Sequence, residues 1–258
     1  MKIQFESTTS CNAKCTFCPR YDMTRPMGQM SDKLFHKIIK EGKELGITTY
    51  LPFLNGEPFV FPRIYKWLDY MEKEGVRVIL YTNAELMDVD KLIKYKNIDL
   101  VNCSFNGATR ETYEKVMPGP DYDRAKKNIE DLIKKSNFRI RVTMVVVEDN
   151  VHEKRLFRKM WGDRSYFAYY NNWGGKRPRE IEPTGVQRPC VKIFNNTTIL
   201  WDGRVNLCCM DYDGEVIFGD LNKEHLKDIL EKMRPIKKRH MKLDFDMPLC
   251  KNCNANKR

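Results

Sequence analysis

The sequence predicts an α/β barrel, open or closed, followed by a small C-terminal unit. Three observations carry this. Stretches with strand period alternate with stretches of helical period six times between residues 2 and 170. The connections have the length that joins parallel strands through crossover helices. At about residue 171 the alternation gives way to a segment rich in glycine, proline and charge, NNWGGKRPREIEPTGVQRP.

Each element has its own signal. KIQFE at 2–6 alternates and reads as a short strand. Ser31 reads as a helix N-cap, and Leu34, Phe35, Ile38, Ile39 and Leu45 follow on one helical face. TTYLPFL at 48–54 is the second strand; Pro62 opens a helix that carries Ile64, Trp67, Leu68 and Met71 on one side and ends at Gly75. VRVILYT is the third strand, a helix starts near Asp88, and IDLVNCSF is the fourth strand. Helical stretches near 110–116 and 122–135 lead to RIRVTMVVV, the fifth strand; a helix at 152–160 and the short strand SYFAYY complete the set. Beyond the break, KIFNNTTILWDGRVNLCCM offers two strand-like runs about Asp202-Gly203, a hairpin-turn signal. EVIFGDL and a helix from about Lys223 follow. The expected domains are 1–184 and 185–258.

The bulk numbers exclude several classes. The 258 residues are 41% hydrophobic and 31% charged, an ordinary globular composition. No run approaches the roughly 20 apolar residues of a membrane helix, and the polar start MKIQFESTTS is no signal peptide. A cytoplasmic protein without a membrane partner is expected. The net charge of +11 points to an anionic substrate, RNA or an acidic peptide, or to a solvated basic surface. The basic stretch RPIKKRHMK has no interleaved aromatics, which argues against a single-strand stacking platform and against nucleic acid as partner.

There are nine cysteines, and in a cytosolic chain grouped cysteines favour metal or redox chemistry over disulfides. Cys11, Cys15 and Cys18 form a CxxxCxxC loop straight after the first strand. Zinc in structural sites prefers four ligands, so a zinc reading needs a distant fourth. An iron–sulfur cube held by three thiolates keeps one iron open to a small ligand. In barrels of parallel strands the active site is built on the loops at the C-terminal strand ends. Here those ends carry the cysteine loop, Asn55-Gly56-Glu57-Pro58, Thr82-Asn83 and Ser104-Phe105-Asn106-Gly107.

With Phe17 before its third cysteine, the CxxxCxxC loop resembles that of the radical S-adenosylmethionine (SAM) superfamily. MTRPMGQMS resembles the stretch that follows the cluster loop in that family, NGEP the segment that meets the methionine amino group, and SFNGATRETYEKV the segment near the ribose and carboxylate. Asn55 stands where glycine is commoner, and Asn106 where many members have aspartate. The resemblance covers nearly the whole chain. It implies a partial (β/α)6 TIM-like barrel. It also implies a [4Fe–4S] cluster on Cys11, Cys15 and Cys18, with SAM on its open iron and an electron donor such as flavodoxin or ferredoxin. Cleavage of SAM would give a 5′-deoxyadenosyl radical that takes a hydrogen atom from substrate. Phe17, Asn55, Gly56, Glu57, Thr82, Asn83, Ser104 and Asn106 are the residues expected to face SAM.

Cys190, Cys208, Cys250 and Cys253 supply four more thiolates. Alone they would read as a zinc ribbon. Beside a radical SAM core they resemble the auxiliary-cluster domain called SPASM, or its shorter twitch form, a β-hairpin plus helix. Because the sequence stops five residues after Cys253, a twitch with one auxiliary [4Fe–4S] cluster is expected. Cys103 reads as a buried small hydrophobe, and Cys209 should point away from Cys208 along a strand. An electron-accepting auxiliary cluster implies oxidation of a small polar metabolite such as a sugar or aminocyclitol. Modification of a peptide or protein side chain is the alternative; a zinc-binding RNA module is the alternative of another class. Oxidation of an alcohol also needs a base. Asp211, Tyr212 and Glu180 are near the right segments, and none is assigned.

Overall fold

The computed structural model describes residues 1–179 and 185–257. Glu180, the expected domain end at Thr184 and Arg258 lie outside the described residues. The strands are β1 (Lys2–Phe5), β2 (Thr49–Leu51), β3 (Arg77–Thr82), β4 (Ile98–Ser104), β5 (Arg139–Val146), β6 (Ser165–Tyr169), β7 (Asn196–Ile199), β8 (Arg204–Asn206) and β9 (Ile217–Asp220). The helices are α1 (Asp32–Glu44), α2 (Ile64–Lys73), α3 (Val89–Leu92), α4 (Arg110–Val116), α5 (Tyr122–Lys135), α6 (Lys154–Trp161), α7 (Val191–Asn195) and α8 (Leu226–Met241). They fall into two compact units, neither continuous in sequence. One is Met1–Thr9, Pro19–Asn55 and the chain from Asn171 onward; the other is Ser10–Cys18 with Gly56–Tyr170.

In the first unit β1 lies between β2 and β7 and is parallel to both, with Ile3 opposite Tyr50 and Thr197. Ile3 and Phe5 are fully buried, as an apolar central strand requires. The Asp202-Gly203 turn joins β7 to β8 as an antiparallel hairpin, and β9 adds antiparallel to β8. Gly203 has φ +97, a conformation that favours glycine. Ser31 caps α1 by accepting from the Leu34 amide at 3.2 Å, and Leu34, Phe35, Ile38 and Ile39 face inward. Leu45, expected on that face, is instead the exposed C-cap. Glu41 of α1 caps α8, accepting from the Leu226 amide at 2.7 Å.

The second unit holds β3, β4, β5 and β6, all parallel in that order. Its core is aromatic: the Phe105 ring lies 4.6 Å from Tyr113 and 5.3 Å from both Tyr122 and Trp161. Buried Glu153 accepts from the Thr109 amide and hydroxyl at the start of α4. Cys103 is fully buried on β4, the small hydrophobe its place in the strand predicts.

Three local expectations are corrected. β2 stops at Leu51 rather than running to residue 54, because Pro52 has no amide hydrogen for the ladder. KIFN forms the short α7 instead of strand. β8 ends at Asn206, so Cys208 and Cys209 lie in a turn and not on a strand. That turn is closed by the Asn206 side chain, whose Nδ2 donates to the Asp211 carbonyl at 2.7 Å, and by the Asp211 backbone amide, which donates to the Cys208 carbonyl at 3.0 Å. Among the described residues no helix is long and apolar enough to cross a membrane.

Among the described residues, the first unit buries the ion pair of Arg25 and Glu6. Arg25 Nη2 donates to Glu6 Oε1 at 2.7 Å, with the side chains 4% and 0% exposed. Asn55 donates to the same oxygen at 3.2 Å and the Trp201 amide to Oε2 at 3.3 Å, while Arg25 Nε donates to the Tyr212 carbonyl at 2.7 Å. Removing one partner would leave a buried, uncompensated charge. Arg25→Ala should therefore destabilise the fold by about 3–5 kcal/mol in anaerobic denaturant unfolding, and the charge-free pair Glu6→Gln/Arg25→Met should recover much of that loss.

Candidate functional site

The loop Ser10–Cys18 is held by backbone bonds. Lys14 and Thr16 donate to the carbonyls of Pro118 and Val116 at 2.7 and 3.0 Å, Cys18 donates to the Cys15 carbonyl at 3.0 Å, and the Glu57 amide donates to the Ser10 carbonyl at 2.8 Å. Cys11, Cys15 and Cys18 are half-buried thiols, and the Ala13 amide donates to Cys11 Sγ at 3.3 Å. Gly119, at φ +115, backs the loop so closely that a Cβ there would lie 2.2 Å from the Asn12 carbonyl oxygen.

Glu57, 3% exposed, accepts from Thr82 Oγ1 at 2.7 Å, the Asn83 amide at 2.8 Å and the Phe59 amide at 3.1 Å. Burial pushes its carboxyl up to about 7, against these donors, which pull it down. Asn83 Nδ2 donates to Asn12 Oδ1 at 2.7 Å, and Asn12 Nδ2 donates to Glu85. Thus the cysteine loop, Glu57, Thr82 and Asn83 form one hydrogen-bonded network. Next to it Ala84 takes φ +67, unusual for a residue with a Cβ. That backbone is held by its amide's bond to Thr82 Oγ1 at 2.9 Å and by Asn128 Nδ2, which donates to its carbonyl at 2.9 Å. Phe17 and Ser104 are half-buried, Ser104 as the last residue of β4.

Of the three asparagines among the expected residues, Asn55 and Asn106 also bond within the protein. Asn106 accepts from the Val145 amide at 2.9 Å and donates to Met117 Sδ. Asn55 serves Glu6. Sequence reasoning missed Asn12, Ala84 and Gly119. Of these, Asn12 had a signal, its place inside the cysteine loop.

Cys190, Cys208, Cys250 and Cys253 line a single cavity, together with Lys192, His240, Asn256 and apolar neighbours such as Ile193, Leu207 and Phe245. Among the described residues Cys208, not Cys209, reaches this wall. Among those residues no three histidines, cysteines or carboxylates are placed to hold one metal ion; the thiols surround a space instead. Burial, reinforced by Cys253 and Cys190, pushes the Cys250 thiol up to about 12, and burial likewise raises Cys208 and Cys253. Such thiols become thiolates when a bound metal group supplies positive charge. Backbone amides already point at two sulfurs: Met210 at Cys208 and Ala255 at Cys253, each at 3.4 Å. His240 and Asn256 are buried with side-chain polar atoms lacking a hydrogen-bond partner. A thiolate-held iron–sulfur group fits this cavity. Asp211 accepts from the Glu215 and Val216 amides at 2.8 and 3.0 Å, so its carboxylate serves the turn. Tyr212, 5% exposed, packs edge-on against Trp173.

Two measurements check this geometry. Gly119→Ala should push on the cysteine loop and lower the iron held by Cys11, Cys15 and Cys18 several-fold, while iron on the other four cysteines stays, as read by iron assay and electron paramagnetic resonance. Glu57 binds its proton more tightly folded than unfolded, so its contribution to stability is fully present below the unfolded value and is lost as pH rises toward about 7. The melting temperature of the parent protein relative to Glu57→Gln should accordingly fall between pH 4.5 and 7.

Comparison with known proteins gives the family. The family described as the radical SAM superfamily matches residues 5–160, and an iron–sulfur cluster-binding domain, SPASM, matches residues 190–254. An AdoMet-dependent heme synthase of Methanosarcina barkeri is 26% identical over 72% of this chain and 55% of its own length. The chain thus spans about half the length of such curated relatives. The structure of BtrN in complex with AdoMet and 2-DOIA superposes with TM-score 0.69 at 16% identity, covering 98% of this chain and 92% of BtrN. That of Streptococcus suis SuiB bound to precursor peptide SuiA gives 0.78 at 15%, covering 98% and 69%. These likenesses show the fold, an α/β partial barrel with a small C-terminal domain. The chain belongs to the radical SAM superfamily and carries a SPASM-type C-terminal domain, so its cofactors are SAM, a [4Fe–4S] cluster and auxiliary iron–sulfur.

Proposed function

We propose that this protein is a cytoplasmic radical SAM oxidoreductase that dehydrogenates a small polar metabolite, such as a sugar or aminocyclitol. The observation that carries this reading is the second thiol set, four cysteines about one cavity, apart from the three of the first loop. When bound, SAM and the first cluster supply a 5′-deoxyadenosyl radical that takes a hydrogen atom from substrate, and the auxiliary cluster supplies an acceptor for the electron that then leaves it.

The residues of the chain prepare for this. Cys11, Cys15 and Cys18 would hold the first cluster, on a loop fixed by Gly119 and Asn12. Glu57 pins the backbone after β2 to the end of β3, and Gly56 leaves that backbone open to the methionine end of SAM. Thr82, Asn83, Ser104 and Phe17 would border the cofactor. Asn55 and Asn106 act by positioning, since their side chains bond within the protein. Cys190, Cys208, Cys250 and Cys253 would hold one auxiliary [4Fe–4S] cluster in a domain of residues 185–258, and a flavodoxin or ferredoxin would supply electrons. The charge of +11 favours a second reading, an acidic peptide or protein as substrate.

Anaerobic incubation with SAM, reductant and a metabolite library should yield 5′-deoxyadenosine together with an oxidised sugar or aminocyclitol; a response confined to acidic peptides would establish the second reading. The reconstituted protein should hold about eight irons, four per cube. Cys11→Ala/Cys15→Ala/Cys18→Ala should remove half of them and all SAM cleavage. Cys250→Ala/Cys253→Ala should also lose half but still make 5′-deoxyadenosine, with little oxidised product. Normal product formation by this variant would reduce the auxiliary site to a structural staple.

A further inference from the structure

His240 lies on α8 and is 2% exposed. Neither Nδ1 nor Nε2 has a hydrogen-bond partner. Its ring stands edge-on to Phe245, with centroids 4.9 Å apart, and lines the cavity of Cys190, Cys208, Cys250 and Cys253. Asn256, 5% exposed, lines the same cavity with both Oδ1 and Nδ2 unpartnered, although its backbone carbonyl is bonded to the Arg188 amide at 2.9 Å. Buried polar side chains are normally paired, and each exception asks for an explanation. Here two exceptions line one cavity, that of the four thiols.

A group that occupies the cavity can complete them. The sulfur atoms of an iron–sulfur cluster and its thiolates accept hydrogen bonds but do not donate them. The cavity already presents four cysteines, a full ligand set for a cube, so the imidazole is not needed on iron. An imidazole carries at least one N–H in either protonation state, so His240 has a donor to give. The Asn256 amide brings N–H donors of its own.

We propose that His240 and Asn256 donate hydrogen bonds to the sulfur atoms of the auxiliary cluster and hold its reduction potential up, so that it accepts an electron. Reduction adds one negative charge to the cluster. N–H dipoles aimed at sulfur favour that more negative state, and such bonds are among the determinants of cluster potential. Lys192, a cation that also lines the cavity, acts in the same direction. The inference rests on the ligand assignment made above for the auxiliary cluster.

The test is a redox titration of the anaerobic holoenzyme followed by electron paramagnetic resonance, with SAM added to mark the cluster that has an open iron. His240→Phe keeps a flat ring and removes the donor; Asn256→Leu does the same for the amide. With iron content unchanged, His240→Phe should lower the reduced-to-oxidised ratio of the auxiliary cluster about tenfold at a fixed ambient potential, about 59 mV for a one-electron couple. Asn256→Leu should shift it in the same direction, and the SAM-sensitive signal should keep its midpoint. An unmoved auxiliary midpoint in both variants, with iron retained, overturns the proposal. Should His240→Phe lose auxiliary iron, His240→Gln decides: retained iron with a midpoint in the parent range supports a donor, and any other result makes His240 a packing residue. The underlying assignment fails separately, by a parent protein with a single cluster signal or by Cys250→Ala/Cys253→Ala retaining both.

Discussion

The first unit depends on one buried carboxylate. Glu6 closes β1, and its two oxygens receive Arg25, Asn55 and the Trp201 amide, while its own amide donates to the Ile199 carbonyl at 2.9 Å. Arg25 passes the connection on to the Tyr212 carbonyl. One carboxylate thus joins the N-terminal strand, the segment after the cysteine loop, the turn after β2 and the C-terminal hairpin. These pieces are far apart in sequence, and loop-closure entropy opposes their meeting. A buried ion pair is not in itself a strong stabiliser, because desolvation offsets much of the Coulomb gain. Its effect here is specificity. With a guanidinium and two further donors directed at it, Glu6 accepts one arrangement of its neighbours and penalises others.

The second unit repeats the device around the cysteine loop. Glu57 receives one hydroxyl and two amides and so binds the turn after β2 to the end of β3. The two carboxylates differ in electrostatic setting. Glu6 meets a cation; Glu57 meets only neutral donors, and burial lifts its pKa to about 7. Its network is more easily changed by pH, and it adjoins the loop that would carry the first cluster. Asn12 and Asn83 extend the hold through side-chain amides, so that the thiols stand on a backbone fixed from two directions before any metal arrives. Such support lessens the reorganisation needed on binding.

Much of this was legible in the sequence. Period and caps located α1, α2, α5 and β5, because apolar spacing and N-cap chemistry are local. The cysteine spacings marked both cysteine groups, because ligand geometry constrains spacing directly. Long-range pairing was not legible. The parallel match of β7 to β1 joins residues almost two hundred apart, and no local signal specifies it; hence the units interleave in sequence. The side-chain duties of Asn55 and Asn106 were hidden for the same reason: an asparagine at a strand end looks the same whether it faces a cofactor or a neighbouring backbone amide. Cys208 and Cys209 follow a strand-like run, yet the Asn206 side chain, bonded to the Asp211 carbonyl, folds the chain into a turn there.

The two thiol sets have different surroundings, and the difference bears on their chemistry. The first lies half-buried on a loop, close to polar side chains and the Glu57 network. The second sits in a cavity walled by Ile193, Leu207, Phe245 and Leu249. Apolar walls alone would oppose reduction, since an added electron there is a buried charge. They also exclude water and strengthen every remaining electrostatic interaction. A few oriented groups therefore govern such a site. The sulfurs of Cys208 and Cys253 already receive backbone amides. Lys192 has its ammonium form favoured, chiefly by Cys209 and then by Cys208, Cys190 and Cys253. A cation beside thiolates reduces the net charge that a bound cluster would present. That balance suits an electron acceptor, because it leaves the low dielectric in place while countering the charge that reduction brings.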